Sequence, residues 1–110
     1  MKKSFVIFFL GIFYISGINA YSIDDDFINA CKNGNLSRAE NLLDEGANIE
    51  ARDGSDRQTA LVFAANRGHI DIVRMLIDKR ANINAQDDKG WTALSEASYR
   101  GRYDVVDFLL

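Results

Sequence analysis

The chain has 110 residues and a formal net charge of −3; 47% are hydrophobic and 26% charged, with one cysteine and no proline. These figures suit one small globular domain and argue against a disordered chain. A single thiol also excludes an internal disulfide, so stability has to come from packing.

The first 20 residues, "MKKSFVIFFLGIFYISGINA", hold four of the seven phenylalanines and only two charges, Lys2 and Lys3. A basic start, an apolar stretch from Phe5 to Ile15 and a small polar section ending at Ala20 form the layout of a secretory signal peptide. A membrane-spanning helix needs about 20 apolar residues, more than this stretch offers. Cleavage after Ala20 would start the mature chain at Tyr21 and leave 11 basic against 16 acidic side chains, a net charge of −5. The protein is therefore expected in the periplasm or outside the cell, with no membrane attachment after cleavage. An acidic chain whose cations are scattered singly offers no footprint for phosphate backbones, so nucleic acid is not an expected partner.

Next comes "DDD", Asp24 to Asp26. It lacks the spaced ligands, central glycine and distal glutamate of a calcium loop, and carboxylates are favoured at a helix start, so capping is the expected role. The segment "NACKNGNLSRAENLLDEGAN" that follows anticipates two later copies: a shift of 34 puts Ala30 on Ala64, Gly34 on Gly68, Leu42 on Leu76 and Ala47 on Ala81.

Those later copies are "TALVFAANRGHIDIVRMLI" (59–77) and "TALSEASYRGRYDVVDFLL" (92–110), 33 residues apart and identical at nine of 19 positions. Each reads as two short helices. Thr59 to Asn66 places Leu61, Ala64 and Ala65 at helical spacing, opened by a capping threonine and closed at Gly68. Ile70 to Lys79 aligns Val73, Leu76 and Ile77 on one stripe. Neither helix is long enough to be stable alone, so the units must stack, with Leu61 and Leu94 serving one shared core. Between them, "GANIEARDGSDRQ" and "RANINAQDDKGW" are rich in Asn, Asp and Gly and fit extended, turn-forming connections.

This pattern resembles the ankyrin repeat, a unit of about 33 residues made of a turn and two antiparallel helices. The resemblance rests on Thr59, Leu61, Ala64, Gly68, His69, Val73, Leu76, Ala81, Asn82 and Asn84 in the middle unit. In the last unit it rests on Gly90, Thr92, Leu94, Ala97, Gly101, Val106 and Leu109, and it covers about Ile23 to Leu110. It implies an all-α repeat solenoid of stacked helix-turn-helix units joined by β-hairpin-like turns. The units span about residues 23–52, 53–86 and 87–110, within a repeat domain of residues 21–110.

Departures from the family pattern carry expectations of their own. Ala60 and Ala93 replace the usual proline, and Val62 and Ser95 the usual histidine, which removes a hydrogen bond that ties the turn and should loosen the helix starts. Arg80 replaces the usual glycine before Ala81, in a left-handed site that costs a non-glycine residue about 1 kcal/mol. The first connection has one residue more than the second, within "RDGSDRQ", and should bulge. Polar Asn35 and Arg38 stand where His69 and Ile72 stand one unit later, as suits a terminal unit facing water. At the other end the chain stops on Phe108, Leu109 and Leu110 without a polar cap, so a fragment of a longer repeat protein or a truncated gene is expected.

Chemistry-bearing motifs are scarce. The sequence has no G-x-S-x-G, no H-E-x-x-H, no cysteine pair and no glycine-rich phosphate loop, so no catalytic residue, cofactor or metal ligand is assigned. His69, the one histidine, is expected to be a structural hydrogen-bonding residue. Cys31 sits in the small-residue slot of Ala65 and Ser98 and is expected to be buried and inert. What remains is binding. In the family that this chain resembles, partners are held by the connection tips and the inner face of each first helix. Mapped here, the tips give Arg52, Asp53, Ser55, Asp56, Arg57, Gln58, Gln86, Asp88, Lys89 and Trp91, and the inner helices give Lys32, Asn33, Asn66, Arg67, Tyr99 and Arg100. Large aromatics and forked guanidinium donors are typical interface anchors. The expected function is a non-catalytic protein-protein interaction module; the alternative is the N-terminal repeat section of a longer exported enzyme.

Overall fold

The computed structural model describes residues 22–110; the leader expected over residues 1–20 lies outside them. Helix α1 (Ile23–Asn33) opens with a reciprocal cap: the Ser22 hydroxyl accepts from Asp25 N at 3.1 Å and the Asp25 carboxylate accepts from Ser22 N at 3.2 Å. Two amide donors that a helix start leaves open are thereby satisfied. The other two acids of the run act separately. Asp24 accepts from Asn48 N at 2.8 Å, and Asp26 faces Arg38 at 3.8 Å. Among the described residues, no group of three or more His, Cys, Asp or Glu could hold a metal ion.

The remaining elements are α2 (Leu36–Asp44), β1 (Arg52–Asp53), β2 (Gln58–Thr59), α3 (Ala60–Arg67), α4 (Ile70–Asp78), α5 (Ala93–Arg100) and α6 (Tyr103–Leu109). The helices form three pairs, and each pair reverses at a glycine with φ between 72° and 76°: Gly34, Gly68 and Gly101. Only glycine takes that conformation without strain. At Gly34 a Cβ would in addition lie 2.9 Å from Cε1 of His69.

Helices α1, α3 and α5 stand in one row and α2, α4 and α6 in a second, each packed on its pair-mate and on its neighbours in the row. One core runs through the stack, with Phe27, Ile28, Leu61, Val62, Ile72, Val73, Leu76 and Val105 all sealed from solvent. Alanines at 30, 64 and 97 let the helices approach. Burying each large side chain contributes about 1.5–3 kcal/mol, which helices this short cannot obtain alone. Leu94 departs from expectation. Leu61 is buried, but its counterpart Leu94 is half-buried and stands outside the core cluster; Ala93, Ala97 and Val105 join the third pair to it instead. Helix α3 is flanked in its row by both α1 and α5, whereas among the described helices α5 has a row neighbour, α3, on one side only, besides its pair-mate α6.

The two connections differ in kind. Residues 52–59 form an antiparallel hairpin, with Arg52 opposite Thr59 and Asp53 opposite Gln58. Its loop takes up the extra residue by placing Gly54 and Arg57 at φ 83° and 55°, and Arg57 N donates to Gly54 O at 3.2 Å. The second connection contains no strand. Asp87 closes it: its N–H donates to Trp91 O at 2.9 Å, and Oδ1 accepts from Lys89 N and Trp91 N, each at 2.9 Å. An aspartate bonded to amides just ahead of it replaces the ladder.

The helix starts also differ. Thr59 Oγ1 accepts from Val62 N at 3.4 Å, a single long cap. Thr92 Oγ1 accepts from Ser95 N at 3.2 Å while Ser95 Oγ accepts from Thr92 N at 2.8 Å. Ser95, standing where the family pattern has histidine, thus supplies the reciprocal half of a capping box to α5. Arg80 adopts φ 69°, the left-handed conformation that its place in the repeat requires.

Candidate functional site

Helix C-termini leave carbonyls without partners inside the helix, and in this stack the following unit supplies donors. His69 Nε2 and Arg67 Nη1 donate to Lys32 O at 2.9 and 3.2 Å, and one unit later Arg102 Nε donates to Asn66 O at 3.0 Å. His69 is therefore a structural strut. Arg52 is another, its Nη1 donating to Arg57 O at 2.9 Å within its own hairpin and to Gln86 O at 2.7 Å in the next connection. Of the residues named from sequence as partner contacts, Arg52 and Arg67 hold neighbouring units together. Arg57 and Asp88 are exposed at the tips, and Asp88 N donates to Asp56 O at 2.9 Å, which joins the two tips. Cys31 is fully buried, and burial pushes its thiol up to about 12.

Five other named residues line one groove of about 230 Å³: Asp56, Lys89, Trp91, Tyr99 and Arg100. Trp91 and Tyr99 meet edge to face with ring centroids 5.5 Å apart and planes at 74°, a favoured geometry for aromatic quadrupoles. Tyr99 nonetheless remains 74% exposed. The Arg100 guanidinium lies 5.9 Å from the Tyr99 ring, and its Nε is 3.9 Å from Glu96 Oε1, too far for a hydrogen bond. Lys89 Nζ stands 3.6 Å from Asp56 Oδ1.

Two buried carboxylates complete the groove, and sequence reasoning missed both. Glu96, 9% exposed, accepts from Asn66 Nδ2 at 2.8 Å through Oε1. Asp87, 7% exposed, accepts from Gln58 Nε2 at 3.2 Å besides the amides of Lys89 and Trp91. Burial pushes the Asp87 carboxyl up, but the Trp91 amide, the Gln58 side chain and the Lys89 amide together outweigh it and hold the group below the usual carboxylate value. Glu96 could have been flagged by comparing the copies, since it stands where the middle unit has Phe63. Asp87 could have been flagged by the glycine three residues on, an aspartate-led turn.

A smaller hollow of about 150 Å³ occupies the equivalent place one unit earlier, lined by Asp53, Asp56, Gln58 and Phe63 among others. Beside it, Lys32 Nζ contacts Asp53 Oδ2 at 2.8 Å and lies 4.3 Å from the centre of the Phe63 ring. The hydrogen bond from Lys32, with one from the Gly54 amide, holds the Asp53 carboxyl below its ordinary value.

Comparison with known proteins agrees with this architecture. A family model described as ankyrin repeats, in three copies, matches residues 27–110. The chain is 37% identical over 86 residues to the mouse ankyrin repeat and SAM domain-containing protein 6, covering 77% of this chain and 10% of that protein. It is 33% identical over 89 residues to the 26S proteasome non-ATPase regulatory subunit 10 of Dictyostelium discoideum, covering 79% of this chain and 38% of that protein. It is 33% identical over 87 residues to the Notch-regulated ankyrin repeat-containing protein of Xenopus laevis, with 76% of each covered. The chain thus spans a small part of the first two relatives and most of the third.

Proposed function

The chain belongs to the ankyrin repeat family, and from that premise we propose that it is a non-catalytic protein-binding module that grips its partner with the connection tips and the exposed face of α3 and α5. The reading is supported above all by the groove that gathers Asp56, Lys89, Trp91, Tyr99 and Arg100 between the tips and the third inner helix. An exposed tyrosine braced by a tryptophan offers large contact area already fixed in shape, which reduces the ordering cost of binding. The struts from His69, Arg67 and Arg102 support the same reading, since they hold the platform rigid. Export to the periplasm or beyond is part of the proposal and rests on the layout of residues 1–20.

The tagged chain, expressed in its own cells, should co-purify with a partner that is lost on Trp91→Ala and on Tyr99→Ala. It should be retained on Lys79→Ala, a control on α4's side of the stack. Equal capture by all three variants would reject the proposed surface.

A further inference from the structure

The two hollows between the units are copies of one another, and their contents differ by charge. Beside the first stands the chain's own cation: Lys32 lies over the Phe63 ring and against Asp53, two residues of its lining. A shift of 34 carries Lys32 to Asn66 and Asp53 to Asp87, and a shift of 33 carries Phe63 to Glu96. One unit later, therefore, the lysine has become a neutral amide and the ring a carboxylate. The aspartate stays, and aromatic surface returns with Trp91 and Tyr99.

The second groove thus keeps the aspartate, gains an acid and has no counterpart of Lys32; of its own cations, Lys89 is turned to Asp56 at 3.6 Å and Arg100 lies near Glu96. Asn66 Nδ2 reaches only Oε1 of Glu96, and among the described residues Oε2 of this buried carboxylate takes no hydrogen bond. Glu96 lines the groove, so this oxygen is open to a donor that enters it. Arg100 is the one guanidinium lining the groove, and it sits loosely, 3.9 Å from Glu96 and 5.9 Å from the Tyr99 ring. A planar guanidinium stacks on an aromatic face and pairs with a carboxylate at once; a neutral planar donor can do both but lacks the charge that strengthens them, and an anion is repelled. Removing Lys2 and Lys3 leaves the rest of the chain with 11 basic and 16 acidic side chains, so long-range attraction also favours a basic partner.

We propose that the groove between Trp91, Tyr99 and Glu96 receives an arginine side chain from a basic segment of the partner protein, which meets an aromatic ring and a carboxylate there as Lys32 meets Phe63 and Asp53 one unit earlier. Arg100 is then a loose occupant that swings out when the partner's guanidinium enters. This rests on the protein-binding reading above and gives that surface its chemistry.

The test uses a Gly/Ser peptide carrying one central arginine, beside the same peptide with citrulline or glutamate in its place. Each is titrated into the protein while the Trp91 indole N–H and the Glu96 amide are followed by NMR. The arginine peptide should shift both signals saturably with a roughly millimolar Kd. Citrulline should bind about fivefold or more weakly, as should arginine to Glu96→Gln. Glu96→Gln keeps the oxygen that accepts from Asn66, and an unchanged melting curve verifies its fold. Arg100→Ala, on the exposed helix surface, should tighten the arginine peptide about threefold by removing a like charge. Citrulline binding as well as arginine, stronger binding of the glutamate peptide, or no response at Trp91 would each overturn the assignment. If the peptides fail while partner capture still depends on Trp91 and Tyr99, the arginine pocket falls and the protein-binding reading stands. If capture is also indifferent to both residues, both fall.

Discussion

Arg80 offers the sharpest test of how the repeat stores strain. It follows α4 and its C-cap Lys79 with φ 69°, while the equivalent position after α2 is Gly46 at φ 106°. The hydrogen bonds are the same in both: Arg80 N donates to Ile77 O and Ala81 N to Leu76 O, as Gly46 N donates to Leu43 O and Ala47 N to Leu42 O. The geometry is thus imposed by the fold, and the side chain has to tolerate it. A Cβ in the left-handed region costs about 1–2 kcal/mol. Glycine relieves this, at an unfolded-state entropy cost of roughly 0.4–1 kcal/mol. Arg80→Gly also discards a positive charge beside a helix C-terminus, worth about 0.3–1 kcal/mol, so wild type is the wrong reference. Arg80→Ala discards the same charge and keeps the Cβ. Glycine should therefore be more stable than alanine by about 1 kcal/mol, which for a domain of this size is a melting difference of about 4–8 °C. Urea titration and thermal melting followed by helical circular dichroism measure it. Equal stability of the two variants, or a more stable alanine, would refute the argument.

Two further outcomes follow from the buried groups. The carboxyls of Asp53 and Asp87 sit below their ordinary values in the folded chain, so each contributes stability that is present above the unfolded value of about 4 and is lost as pH falls through the lower folded value. Acid titration should show stability falling below about pH 4, with a smaller fall in Asp87→Asn, which should itself cost about 1–3 kcal/mol at neutral pH. Cys31, with its thiol pushed up to about 12 by burial, should resist a thiol reagent at pH 8 in the native protein and react at once in denaturant; rapid native labelling would contradict its placement between α1 and its neighbours.

Much of this architecture is legible without coordinates because the repeat is written in spacing. Apolar residues three and four apart mark the helices, threonines ahead and glycines behind bound the first helix of the middle and last units, and short helices that cannot hide their flanks singly must stack. The left-handed site at Arg80, the burial of Cys31 and the structural use of His69 follow from aligning the copies, since equivalent positions meet equivalent geometry. What alignment could not decide is which long polar side chains turn inward. Arg52 and Arg67 look like free anchors in the sequence, yet each reaches a carbonyl in a neighbouring unit that no local rule identifies. Asp87 and Glu96 look like surface acids, yet the stacking of one pair on the next covers them and makes them part of the groove. The period of the chain determined the helices and their order. The meeting of side chains from neighbouring units, 21 to 30 residues apart at Asp53, Asp87 and Glu96, decided where charge is buried and where it is paired, because those depend on distances that exist only after the units have stacked.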